Sequence, residues 1–423
     1  MKKMLIGSML LGAALSVSAQ NPTLMSHCVL KQDAQTRVVE VSYEMTGDEP
    51  LYVTLEITTN GVPITDLVAV TGDITSLQNP AAIEPGLTPK KIYWNAKQDW
   101  PGNLTTEACA TVTGWFTNDP PASLILAFSP DYVVVDLSGG PSAVTYPVRA
   151  SASPPNLSDP LCKTTELWLR RIPAGTFMMG SPGTELGRDS TREIQHEVTL
   201  TQDFYIGVFP VTQKQYELVM PQGAGNPSAY VGDMRPVERV SYEMIRGKVL
   251  GAEWPVSDHV DATSFMGRLR ARAPFLFDLP TDAQWEYACR AGTTTALYSG
   301  SNLTNIASCP NVQELARCKD NGGSSQQHAV VGSYLPNAWG LYDMYGNVWE
   351  WCLDRFTVNL GTTEVTNPKG HASETLRTRH GGSFNSPASE CRSAFRFSGD
   401  PTLNNQSTYG FRVCIQPPEG YGN

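Results

Sequence analysis

The stretch Asn337-Ala338-Trp339-Gly340-Leu341-Tyr342-Asp343-Met344-Tyr345-Gly346-Asn347-Val348-Trp349-Glu350-Trp351 constrains the fold of this chain more than any other. Its aromatic residues follow neither the helical period nor the alternation of a strand, and Gly340 and Gly346 interrupt it. Such a segment buries Trp and Tyr rings within turns, where glycine allows backbone angles that other residues resist. A domain built around it is rich in turns. Asp343 and Glu350 also offer hard oxygen donors beside turn carbonyls, the ligand set that calcium prefers. A tight turn whose backbone amides Glu350 satisfies is the other reading of the same residues.

Composition agrees with a turn-rich chain, since 36 Gly and 31 Pro accompany a charged fraction of only 17%. Met1 to Ala19 carries Lys2 and Lys3, an apolar run from Met4 to Val17 and small residues Ser18 and Ala19, the plan of a cleaved secretory signal. The run is short for a bilayer, and no later stretch is apolar for long enough to cross one. The expected location is therefore secreted or extracytoplasmic, with no membrane insertion after signal removal. The formal charge of -10 becomes about -12 once Lys2 and Lys3 leave. An acidic chain without a basic stripe argues against nucleic acid as a partner.

From residue 20 to 150 the pattern is one short strand after another. Val39, Val41 and Tyr43 alternate with Glu40 and Ser42; Val53, Leu55 and Ile57 alternate with Tyr52, Thr54 and Glu56, and Asn60-Gly61 supplies a hairpin turn. Further strands are expected at Lys91 to Trp94, Ala108 to Trp115, Ser123 to Ala127 and Tyr132 to Leu137. Together they predict an all-β immunoglobulin- or fibronectin-like sandwich. Residues 151–164, rich in Ser and Pro, read as a linker, residues 165–416 as a second domain and 417–423 as a tail. In the second domain helices are expected at Thr212 to Met220, Asp261 to Arg272 and Asp282 to Arg290, the last opened by a Thr281/Gln284 capping box.

The second domain also carries a series of motifs in a fixed order: Ile172-Pro173-Ala174-Gly175-Thr176-Phe177-Met178-Met179-Gly180, Pro236-Val237-Glu238-Arg239-Val240-Ser241, Leu279-Pro280-Thr281-Asp282-Ala283-Gln284-Trp285-Glu286-Tyr287-Ala288, Gly381-Gly382-Ser383-Phe384, Cys391-Arg392-Ser393-Ala394-Phe395-Arg396 and Gly410-Phe411-Arg412. In these the chain resembles the formylglycine-generating enzyme (sulfatase-modifying factor) family over roughly residues 165 to 416. The resemblance implies an α+β, turn-rich C-type-lectin-like fold with long metal-pinned loops. It also implies a calcium site formed by Asp343, Gly346, Val348 and Glu350, and a second one beginning at Asn311 and Val312.

Catalysis in that family, as the resemblance implies it, uses two cysteines that hold copper(I), activate oxygen and oxidise a substrate cysteine to formylglycine. The second of these positions is Cys391. The first is Ser386, a hard hydroxyl that does not replace a thiolate on copper(I). Ser383 and Trp349 match positions that line the family cleft. Beside a purely structural envelope role through the β-sandwich, two readings of the second domain follow. In one the chain is a calcium-stabilised binding or surface scaffold, presenting Phe384 to Ser389 and the polar run Gly399 to Tyr409 to an exported protein or a glycan. In the other it is a divergent oxidase with Cys391 as its sole thiolate, acting on an exported sulfatase-like protein.

Nine cysteines in an exported chain imply disulfides with at least one thiol left over. The resemblance implies Cys289 with Cys414. Cys309 and Cys318 are close enough to close a local loop, Cys28 and Cys109 could staple the first domain, and Cys162 is then the odd thiol. Cys391 is either a cleft thiol or the partner of Cys352. The six histidines, including His328 and His380, show no metal-ligand spacing, and Ser383 does not sit in a hydrolase elbow.

Overall fold

The computed structural model describes residues 23–416 except 34, 46–48, 65–66, 68, 76–80, 87–88, 102–107, 117–121, 127–128, 249–253 and 323–325. The expected signal at 1–19 and the tail at 417–423 lie outside the described residues. Contacts divide the chain into two compact units, Met1–Ser129 and Pro130–Asn423.

Among its described residues the first unit is all-β apart from two single helical turns, Ala96–Asp99 and Ala122–Ile125. One four-stranded sheet runs in the order Thr23–Leu24, Ala108–Phe116, Leu51–Thr59, Val62–Pro63, the other Ser26–Gln32, Val38–Glu44, Lys90–Asn95, Val70–Gly72. The alternation read from the sequence decides what goes inside. Val39, Val41 and Tyr43 from one sheet and Leu51, Val53 and Ile57 from the other are buried in one cluster with Ile92, Trp94 and Val112. The Asn60-Gly61 turn has both residues at positive φ (51° and 77°), as a two-residue hairpin requires. Leu124, Ile125 and Leu126, expected within a strand at Ser123 to Ala127, lie instead on a short helical turn, because three consecutive apolar residues suit either geometry.

The strand Tyr132–Asp136, which the sequence places with the first domain, belongs to the second unit. It pairs antiparallel with Val148–Ser151 on one side and Glu166–Ile172 on the other. The residues explain this: Val133, Val134 and Val135 are all buried, so both faces of the strand are covered rather than one. The expected linker is also structured. Asp159 caps a 3-10 turn over Pro160–Lys163, which buries Cys162 against Trp168, Val208 and Phe209.

The second unit is built on that six-stranded sheet, which continues through Phe204–Gly207, Cys414–Ile415 and Phe277–Asp278. A three-stranded sheet (Gly175–Met179, His196–Leu200, Val365–Thr366) and a four-stranded one complete it, the latter ordered Arg396–Gly399, Arg377–His380, Trp349–Arg355, Tyr409–Phe411. Capping boxes start the helices Gln213–Val219 (Thr212, Gln215) and Asp282–Arg290 (Thr281, Gln284). The helix expected from Asp261 begins later, at Phe265, where Ser264 accepts the Gly267 amide. Most of the remaining chain is turns wrapped over a core of Trp285, Leu297, Tyr298, Met344, Tyr345, Cys352 and Ile206.

Candidate functional site

Three loop segments meet around Gly346. Asp343, Gly346 and Asn347 all have positive φ (55°, 66° and 57°), so the stretch turns sharply where the sequence places its glycine. A side chain at Gly346 would stand 2.1 Å from the Arg317 carbonyl oxygen, so that position admits glycine alone. The Gly346 amide donates to the Gly381 carbonyl (2.8 Å), the Asn347 amide to the Arg317 carbonyl (2.8 Å) and the Phe384 amide to the Asn347 carbonyl (3.0 Å). Lys319 closes the ring by donating its amide to the Ser386 carbonyl (3.1 Å).

The structure brings Ser383, Ser386 and Cys391 together on one of these segments. The Ser383 and Ser386 hydroxyls lie 3.3 Å apart and are buried. The Ser386 hydroxyl is thus engaged with its neighbour. Cys391 is fully buried, with its sulfur against Gly382. Burial pushes its thiol well above the ordinary range; the charges of Cys318 and Glu390 add to this, and the Gly346 amide opposes it. When reduced it stays protonated near neutral pH, a poor nucleophile or metal ligand in that state. Trp349, on the strand Trp349–Arg355, packs against the Arg379 guanidinium (4.4 Å) and Phe395 (5.9 Å).

The two expected calcium carboxylates differ. Both oxygens of Glu350 are engaged: Oε1 accepts from Arg412 (2.9 Å), and Oε2 accepts from Arg412 (3.1 Å) and the Trp285 indole (2.7 Å). This is the amide-satisfying reading of Glu350 with an arginine and an indole in place of amides. Asp343 is held by one oxygen only. Its Oδ2 accepts the Gly332 amide (2.6 Å), while Oδ1 is buried with no hydrogen-bond partner. Burial pushes the Asp343 carboxyl up to about 6; the Gly332 amide and Arg412 hold it down, and Glu350 raises it further. An orphaned, buried carboxylate oxygen fits a hard cation. Among the described residues no group of three or more His, Cys, Asp or Glu side chains is disposed to hold a metal, so such an ion would rest largely on backbone oxygens. Asn311 and Val312 lie in the short helix Pro310–Gln313. The Asn311 amide donates to the Asn302 carbonyl (3.2 Å), and the Val312 carbonyl accepts from the Leu315 amide (3.0 Å).

The cysteines are free thiols in this structure. Cys289 faces the Ser393 hydroxyl (3.8 Å), whereas Cys414 points to the Ile415 carbonyl (3.7 Å) and faces Asp278. Cys352 lies on the strand that also carries Glu350 and Asp354, with Asp282 near it, while Cys391 faces Gly382 and Cys318. Cys309 accepts from the Thr304 amide at 3.5 Å and shares a hydrogen bond of 3.5 Å with the Thr304 hydroxyl, and Cys318 caps the turn Lys319–Asn321.

Charged clamps beneath these loops escaped the sequence reading. Arg392 chelates Glu193 (2.7 and 2.8 Å), bonds Glu185 (2.5 Å) and donates to the Gly187 and Ser389 carbonyls. Arg396 and His380 both bond Asp282, at 2.6 Å each. Their motifs were visible, but the partners of Arg392 stand about two hundred positions away and nothing local announces them. Of the two expected presentation segments, Phe384 to Ser389 is mostly buried, with only Asn385 exposed, whereas Asp400 and Thr402 to Asn405 are exposed. Asp400, Pro401 and Thr402 wall a pocket of about 350 Å3 whose other lining includes Tyr242, Arg246, Lys248, His259, Arg355 and Arg377.

An α+β unit of small sheets, long turns and arginine-clamped loops is thus the class that fold and site define. Residues 157–417 match the sulfatase-modifying factor enzyme 1-like domain, and the chain belongs to that family. Mouse formylglycine-generating enzyme is 28% identical over 318 residues, covering 65% of this chain and 82% of the relative. A protein named serine/threonine-protein kinase pkn1 from Chlamydia caviae is 28% identical over 248 residues, 37% of its own length. Among solved structures, Treponema denticola variable protein 1 is 26% identical with a TM-score of 0.48, covering 60% of this chain and 96% of its own. PvdO from Pseudomonas aeruginosa is 21% identical with a TM-score of 0.47, covering 59% and 95%.

Proposed function

We propose that this family member is an exported, calcium-stabilised binding scaffold, and that its ligand enters the pocket beneath the Asp400–Asn405 loop. The observation that carries the reading is the pocket itself: an exposed polar loop walls a cavity lined by Arg246, Lys248, Arg355 and Arg377 together with Glu243 and Asp400, in which Arg246 is paired with Asp278 (3.0 Å) and Lys248 with Glu243 (3.3 Å). Guanidinium and ammonium donors around a volume of this size suit an acidic saccharide, whose carboxylate or sulfate takes charge-assisted hydrogen bonds. Asp343, with its orphaned Oδ1, and the turn carbonyls of Gly346 and Val348 would hold the calcium, which would supply rigidity rather than chemistry. Ser386 in place of a thiol, and Cys391 held as a buried thiol, weigh against the alternative of a divergent formylglycine-generating oxidase. The test is an array of neutral and acidic glycans probed with the wild-type chain and with a variant whose residues 402–405 are replaced by Gly and Ser. Calcium-dependent binding to acidic glycans that the replacement abolishes is the expected result. Absence of such binding, or binding that survives the replacement, overturns the proposal.

A further inference from the structure

Cys318 and Cys391 approach each other from segments more than seventy residues apart. Cys318 is fixed on both sides. Arg317 before it pairs as a parallel bridge with Gly346, and Lys319 after it bonds the Ser386 carbonyl at 3.1 Å. Cys391 is fixed against the same two features. A Cβ at Gly382 would lie 3.0 Å from its sulfur, and the neighbouring Gly381 carbonyl takes the Gly346 amide at 2.8 Å. Both side chains lie in one apolar core, 1% and 0% exposed. We infer that Cys318 and Cys391 form a disulfide that staples the Arg317 segment to the Gly-Gly-Ser loop. Cys318 is the thiol whose charge bears most on Cys391, which agrees with that placement.

The bond forms by exchange with an external disulfide such as oxidised glutathione. One cysteine thiolate attacks a sulfur of the donor, giving a mixed disulfide and one released thiol. The second thiolate then displaces the donor's other half. Two protein thiols are oxidised, one donor disulfide is reduced to two thiols, and the two protons pass to the released thiolates. Burial disfavours both thiolates once the loops have closed, so the exchange belongs to folding, and the finished bond is shielded from reductants. The staple joins the segments that meet at Gly346 and takes from Cys391 the thiol an oxidase would need.

The purified chain, refolded with oxidised glutathione, is denatured without reductant, alkylated and cut with trypsin. Cleavage after Arg317, Lys319, Arg379 and Arg392 leaves the dipeptide Cys318-Lys319 and the peptide His380 to Arg392. The expected species is this peptide carrying the dipeptide, lost on reduction, with Cys391 absent from the alkylated pool. Cys318→Ser moves Cys391 into that pool, whereas Cys352→Ser leaves the conjugate intact. Alkylated Cys391 in the oxidised wild-type chain, or its recovery linked to Cys352 or any other cysteine, overturns the inference. If Cys318→Ser fails to fold, the wild-type and Cys352→Ser maps still decide it.

Discussion

Replacing Arg392 by Met removes the arginine that, among the described residues, bonds both acids of its cluster, Glu185 and Glu193. Glu193 loses its bidentate partner, Glu185 loses a 2.5 Å bond, and the carbonyls of Gly187 and Ser389 lose their donor. Arg392 and Glu193 are 1% exposed or less, and Glu185 is 9% exposed. Removing one partner of a buried ion pair costs about 3–5 kcal/mol, because the other charge stays buried and uncompensated. Two acids are stranded here, so the upper end applies, about 5 kcal/mol. The charge, rather than the shape, is the source of that loss. In the triple variant Arg392→Met, Glu185→Gln, Glu193→Gln no charge is left unpaired. The glutamine introduced at position 193 can still accept from the Ser181 hydroxyl, as Glu193 does at 2.6 Å. The triple variant is therefore expected within about 2 kcal/mol of wild type. Guanidinium unfolding at pH 7.5, followed by tryptophan fluorescence, measures all three chains. A single variant within 1 kcal/mol of wild type, or a triple variant no more stable than the single, would refute the argument that a buried charge balance holds these loops.

Asp354 is buried, and burial followed by the charge of Asp282 raises its carboxyl above the ordinary range. The folded chain therefore holds that proton to higher pH than the unfolded chain, and the group's contribution to stability declines as pH rises from about 4 toward neutral. Asp354→Asn removes this dependence, so its urea midpoint relative to wild type should be higher at pH 7.5 than at pH 4.5; an equal gap at both values counts against the assignment. Gly346→Ala drives a methyl into the Arg317 carbonyl and should destabilise by about 3 kcal/mol, with a loss under 1 kcal/mol contradicting the packing. Calcium at a hundredfold excess over its dissociation constant should stabilise the chain by about 2.7 kcal/mol relative to chelator. Asp343→Asn should lose that response in a thermal melt, and a response of equal size in the variant would remove Asp343 from the site.

Several parts of the fold were legible because they are local. The Thr281/Gln284 and Thr212/Gln215 caps start their helices through contacts within three residues. The alternation at Val39, Val41 and Tyr43 needs only one buried face. The Gly340/Gly346 stretch announced turns, and turns are what it forms. Elsewhere the outcome depended on partners that the chain brings from a distance. The Tyr132–Asp136 strand, apolar through Val133, Val134 and Val135, could close one sandwich or sit inside another sheet, and the antiparallel partner Glu166–Ile172 decides between them. Glu350 read equally as a calcium ligand or a backbone acceptor, and Arg412 from 62 residues away takes both its oxygens. The residues Phe384 to Ser389 look like a display loop by composition. Yet the Phe384 amide docks on Asn347 and the Ala388 amide on Ala307, which turns the segment inward. Cys318 carried no signal for Cys391, since the Arg317–Gly346 bridge that aligns them is a tertiary feature.

The central claim is that this family member binds rather than oxidises. The direct measurement is incubation of the purified chain with copper(I), oxygen and a sulfatase-type cysteine peptide, followed by mass spectrometry of that peptide. The account predicts an unchanged cysteine, as in a control without protein. Conversion of the cysteine to formylglycine above that control would contradict it and return Cys391 to the catalytic site.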